Sequence, residues 1–247
     1  MTCCGWSSPA RARRRCWPVS DPSGPEFDFA LVGTWAPISV TDEDLSQRQI
    51  REFVGAALGR SDELATLRHV MRQDLERSVK QSITANGQML YLAKEIITGV
   101  PLLASLLICW PQLGSIPTAV AMNPHLARAF LKKMLMETNG EAQDSDLELV
   151  TGVALRRTVI LPPPVQDGVD VLRVDYWLTT PDPGRFVTFS FGTALSRIQA
   201  EMTALFDAIV QSVRWDGLVV GDPDAADDGE FMYDLDISDF VPAEASQ

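Results

Sequence analysis

Residues 186–215 read FVTFSFGTALSRIQAEMTALFDAIVQSVRW, and this stretch restricts the fold more than any other. In its first part Val187, Phe189 and Phe191 point one way and Thr188 and Ser190 the other, the alternation of a half-exposed strand. In its second part Leu195, Ile198, Met202, Leu205, Phe206, Ile209 and Val213 fall on one helical face, with Arg197, Glu201 and Gln211 opposite. A stripe this continuous must be buried, and a sheet containing the preceding strand is the obvious surface for it.

Upstream, strands and helices come in runs rather than in strict alternation. Phe27 to Val32 and Thr34 to Ile38 read as two short strands about Gly33. Thr41 is the expected N-cap of a first helix, with Ile50, Phe53, Val54, Ala57 and Leu58 as its stripe and Gly59 as its end. A second helix starts after Ser61 and presents Leu64, Leu67, Met71 and Leu75 on one face. Asn86-Gly87 signals a turn into a strand over 88–97. Val100 to Trp110 reads as one central strand, covered on both faces. Asn123-Pro124 opens a helix that runs to Asn139-Gly140. Leu147 to Val159 is expected to form one strand, stopped by Pro162, Pro163 and Pro164. Val169 to Leu178 and Phe186 to Phe191 flank a Pro/Gly-rich turn and form a hairpin. This pattern predicts an α+β fold, an antiparallel β-sheet packed against helices, as a single domain over 26–215.

The two ends differ from this core. Residues 1–25 carry four Arg and several Pro and are read as a disordered leader. They lack the apolar stretch of about 7–15 residues that a secretory signal needs, so the expected location is cytoplasmic. Residues 216–247 form an acidic tail, with ten acidic groups and no Lys or Arg, which accounts for most of the net charge of −12. Such a charge disfavours nucleic acid as a partner. Residues 96–127 hold no charge, but Pro101, Pro111, Gly114 and Pro117 interrupt them, which argues against a membrane span.

Between Phe186 and Trp215 the strand with alternating Phe and the helix ending FDAIVQSV resemble the C-terminal end of the PsbP-like fold, including its actinobacterial lipoprotein-type members. The order of the opening strands and first helix is also similar. The excess of Arg over Lys, 17 to 4, fits a GC-rich bacterial genome. The resemblance implies a fold and a non-catalytic binding or assembly role, since its signature positions are core residues. The chain departs from the lipoprotein relatives in lacking a lipid-attachment signal and in carrying the second early helix and the helix at 124–139.

No nucleophile elbow, zincin, P-loop or dinucleotide motif occurs, and no cofactor is implied. Cys3, Cys4 and Cys16 lack the spacing of a tetrahedral zinc site and are read as free thiols. His69 and His125 have no neighbours in sequence that complete a catalytic centre. Asp207 and Glu95 sit beside apolar runs. Each either acts as a carboxylate of raised pKa or pairs with an Arg or reaches solvent. Asp167-Gly168 is a turn without the second acid of a metal loop. Trp35, Trp110, Tyr176 and Trp177 line an apolar pocket or belong to the core.

The tail carries the candidate site. After an acidic linker, Phe231, Tyr233, Leu235, Ile237 and Phe240, with Met232, alternate with acids over 231–240. A purely solvating tail has no use for so many large apolar residues. The segment either folds back on its own domain or docks on a protein partner with a basic surface. The expected function is therefore a non-catalytic interaction or assembly module. The alternative is a small-molecule-binding protein or cryptic enzyme with a pocket between sheet and helices.

Overall fold

The computed structural model describes residues 25–216, apart from 60, 98, 112–119, 121, 137–141, 150–151, 164–167 and 183. In chain order the elements are β1 (Phe27–Asp28), β2 (Thr34–Ser39), α1 (Glu43–Leu58), α2 (Ala65–Thr84), β3 (Gly87–Ile97), β4 (Val100–Pro101) and β5 (Ala104–Cys109). There follow α3 (Pro124–Met136), β6 (Gln143–Leu149), β7 (Gly152–Leu161), β8 (Val171–Thr179), β9 (Phe186–Thr193), α4 (Gln199–Gln211) and β10 (Arg214–Trp215). The fold is α+β. An antiparallel sheet in the order β2-β3-β5-β9-β8-β7-β6, with β4 beside β3, packs against helices on both faces. β1 and β10 pair separately.

The stripe of α4 is buried along most of its length, with Leu195 and Leu205 partly covered and Ile198, before the helix proper, 44% exposed. Met202, Phe206, Ile209 and Val210 are enclosed against Tyr176, Val174, Phe189 and Phe191. The rings of Phe191 and Phe206 stack with centroids 4.3 Å apart. Full burial of a Phe side chain stabilises by about 1.5–3 kcal/mol, so this layer is a main source of stability. β1 and β10 close its rim, where Phe27 meets Trp215, Trp110 and Phe189 edge-on or tilted.

Residues of opposite parity face the other side. There Ile50 and Val54 of α1 and Val79 of α2 pack on Ile38, Leu90 and Leu92. Further along the same face, Ala127 and Leu131 of α3 cover Leu155 and Phe186. Between these two helical layers lies a polar strip. Across the strands, Leu107, Ser190, Asp175 and Arg157 stand in one register row, so its apolar end lies under α1–α2 and its charged end under α3.

Several local expectations are corrected. The N-cap of α1 is Asp42, not Thr41: its carboxylate accepts from the Leu45 N–H at 2.9 Å, an anion at the positive end of the helix. Val100 to Trp110 is two strands, because Pro101 has no N–H to continue the ladder. Leu147 to Val159 is not one strand but the meeting point of two, β6 and β7, with Gly152 at φ +134° beside the reversal. The stripe of α2 is only partly buried: Met71 and Leu75 pack, whereas Leu64 and Leu67 are 37% and 49% exposed. Asn86 at φ 55° and Gly59 at φ 64° occupy the turn and helix-end conformations their residue types favour. The expected helix end at 139–140 lies outside the described residues.

Candidate functional site

Arginine placement divides this molecule. Under α4, Arg156 donates from Nη1 to Asp207 Oδ2 at 2.5 Å, and the Tyr176 hydroxyl donates to Asp207 Oδ1 at 2.6 Å. Asp207 thus holds a buried phenol and a half-buried guanidinium together, which is the pairing role and not that of a free general acid. Burial raises the Tyr176 pKa, and its hydrogen bond to Asp207 raises it further.

On the opposite face Arg157 and Asp144 form a fork-to-fork pair, with Nε–Oδ1 at 2.9 Å and both side chains 6% exposed. Arg157 also donates to the Leu135 carbonyl at 2.9 Å, tying α3 to the sheet. Next to it Asp175 accepts from Ser190 Oγ at 2.5 Å and from Arg173 Nε at 3.1 Å. Cys109 shares this face. Burial, and then the charge of Asp175, push its thiol up to about 11 from 9.0, with Arg173 pulling the other way. A thiol so protonated is a poor nucleophile at neutral pH. Arg128 pairs with Asp146.

The α1–α2 hairpin is different. Here Arg51, Glu52, Gly55 and Ala56 of α1, with Gly59 at its end, face Arg68 and Arg72 of α2 across a cleft of about 610 Å³. None of the three arginines pairs with a carboxylate among the described residues. Arg68 donates from Nη1 to the Gly59 and Ser61 carbonyls at 3.2 and 2.7 Å, answering the negative end of α1. Arg72 has a buried Nε with no acceptor. At Gly55 a Cβ would meet nothing within 4 Å, so the cleft is open at that point. Arg68 and Arg72 are one helical turn apart on α2, and both line the cleft.

A second cleft, of about 560 Å³, lies at the end of the sheet and is lined by His125, Arg128, Glu148, Thr179, Thr180 and Trp215 among others. His125 is exposed there, and its backbone N–H donates to the Asn123 cap. The other histidine, His69, is exposed on α2. Glu95 accepts from the Gly99 N–H at 3.4 Å and closes the turn between β3 and β4. Tyr176 and Trp110 belong to the core under α4 with Trp35 at its margin, whereas Trp177 packs under α3; the four line no common pocket.

Phe231, Tyr233, Leu235, Ile237 and Phe240 lie outside the described residues, as do Cys3, Cys4, Cys16 and Asp167. The arginine cleft was not foreseen from the sequence. Its one local signal is the i, i+4 spacing of Arg68 and Arg72; the approach of Arg51 is a product of the hairpin. Among the described residues no helix is long and apolar enough to cross a membrane, and no three His, Cys, Asp or Glu side chains converge as metal ligands would. No protein-family model matches the chain, and no curated protein is similar to it.

Proposed function

We propose that this chain is a non-catalytic interaction module in which residues 231–240 are a docking segment. The observation that carries this reading is the contrast among arginines: those under α3 and α4 are matched by carboxylates, while Arg51, Arg68 and Arg72 stand together without one. Desolvated guanidinium groups need an anion. Exposed ones do not, and a cluster of them serves as a receiving surface for acidic peptide. The tail of the same chain supplies such a peptide, with acids between large apolar residues. The resemblance of residues 186–215 to the PsbP-like end implies a binding role as well, and the buried free thiol of Cys109 suits a reducing, cytoplasmic setting.

A small-molecule role is the second reading, favoured by the cleft at the sheet end, where His125 and Glu148 line one concavity and Arg128 Nε is buried without an acceptor. The test of the first reading replaces Phe231, Tyr233, Leu235, Ile237 and Phe240 together by Ser in the full chain. A docking segment must then change either hydrogen exchange in its own domain or the set of proteins the chain retains. If both stay as in the unaltered chain, the segment is not a docking element and the sheet-end cleft becomes the leading site.

A further inference from the structure

We infer that residues 231–240 dock in cis, in the cleft between α1 and α2, with Asp234 and Asp236 on Arg68 and Arg72. This rests on the docking-segment reading above and adds the receiving site and the direction of docking.

Charge selects the location. The residues beyond Asp216 carry nine acids and no base, whereas the cleft sets Arg51, Arg68 and Arg72, none matched by a carboxylate among the described residues, beside Glu52. The other open surfaces are less suited. On the edge strand β6, Asp144 and Asp146 are matched by Arg157 and Arg128 and Glu148 adds an acid, so the edge offers an acidic strand no unmatched base among the described residues. At the sheet-end cleft Arg128 is already neutralised by Asp146, and Glu148 stands in the wall.

Spacing agrees. In an extended segment residues i and i+2 fall on one side, about 6.6–6.8 Å apart. Arg68 and Arg72, at i and i+4 on a helix, stand about 6 Å apart. Asp234 and Asp236 therefore match two successive guanidinium groups without bending the chain. Ten extended residues span about 33 Å, enough to follow the cleft and cross the first turn of α2. Met232 shares the side of Asp234 and Asp236 and meets the exposed Leu64 of the same strip, while Tyr233, Leu235 and Ile237 take the opposite side.

The tether permits it. Fifteen residues from Asp216 to Phe231 reach about 50 Å when extended, while a domain of this size is about 40 Å across. Most of the domain surface, though not the side opposite Asp216, is thus within range. A short flexible connection gives an effective concentration of about a millimolar, so docking in cis is populated once the ionic and apolar contacts together reach a Kd of about a millimolar or below.

Hydrogen exchange on the full chain at low salt tests this. The expected result is exchange over 231–240 at least tenfold slower than in an unprotected peptide of that sequence, independent of protein concentration. Arg51→Glu with Arg72→Glu should abolish that protection, and adding Asp236→Arg, which faces position 72 while Asp234 keeps Arg68, should restore it. Arg68 is left in place because it caps α1. Protection that survives the arginine reversals puts the docking elsewhere and overturns the inference while leaving the docking-segment reading intact. Protection that grows with concentration assigns the cleft to a second copy's tail and overturns docking in cis. Free exchange at every concentration overturns it too, and leaves a separate partner as the only receiver for the segment.

Discussion

The charged end of the sheet and the α1–α2 hairpin use the same residue type to opposite ends. Arg157 is 6% exposed and meets Asp144 through two nitrogens and the Leu135 carbonyl through a third contact. Arg51 is exposed and Arg72 half-buried with its Nε covered, and neither meets a carboxylate among the described residues. The reason is dielectric. A guanidinium that loses water must regain an anion or lose several kcal/mol, so the sheet and α3 are built around matched pairs. A guanidinium that keeps its water is under no such demand, and its charge remains available to something that arrives later.

The largest effect that can break this comparison is at Arg157. Arg157→Ala leaves Asp144 buried and unmatched and should lower unfolding stability by about 3–5 kcal/mol, read as a shift of the urea midpoint. A change below about 1 kcal/mol would mean that the pair is solvated in solution and that the two regions do not differ in kind.

Asp207→Ala is next. It removes the shared acceptor of Arg156 and Tyr176 at a site about one-fifth exposed, and should cost about 2–3 kcal/mol. Tyr176→Phe, which leaves the ion pair in place, should cost less, about 1 kcal/mol.

Alkaline pH separates the two regions by a different route. The Cys109 thiol is pushed up to about 11 from 9.0, chiefly by burial, and burial raises the Tyr176 and Tyr91 phenols as well. Between those values the folded state keeps a proton that the unfolded state releases. Stability is therefore whole below pH 9 and falls as pH rises toward 11. Denaturation midpoints across that window should drop, and Cys109→Ala should flatten the early part of the fall.

The smallest effect is predicted for the hairpin. Arg51→Ala and Arg72→Ala should each change stability by no more than about 0.5 kcal/mol. Both should weaken the response of the chain to salt, if their partner is the acidic tail.

What the sequence discloses follows from how far apart the cooperating residues are. The α4 stripe, the β8–β9 hairpin and the ends of α1 and α2 are encoded within one turn or one pleat, and they are legible. The β6–β7 reversal at Gly152 was not. Leu147, Leu149, Val153 and Leu155 keep one alternation across it, so a hairpin and a single strand show the same pattern. Asp207 meets Arg156 and Tyr176 across 51 and 31 residues, and these contacts come from packing two layers together, which periodicity does not carry. The α2 stripe misled for a related reason. Its spacing is right for burial, but α2 begins where α1 has already ended, so Leu64 and Leu67 find no cover among the described residues. The candidate segment is legible as composition, an alternation of acid and apolar residue, whereas the arginine cleft takes shape only once α1 and α2 pair.

The central claim is that the open arginine cleft belongs to the chain's own tail. A distance between spin labels at Gly55→Cys and Leu235→Cys tests it most directly. It is measured on the full chain at low concentration with Cys3, Cys4 and Cys16 replaced by Ser and Cys109 left buried. Gly55 offers open space for a label and Leu235 lies between the two acids assigned to Arg68 and Arg72. The expected result is one short, narrow distance population that broadens and lengthens when Arg72→Glu is added. A broad, long distribution already present in the chain with Arg72 intact would contradict it.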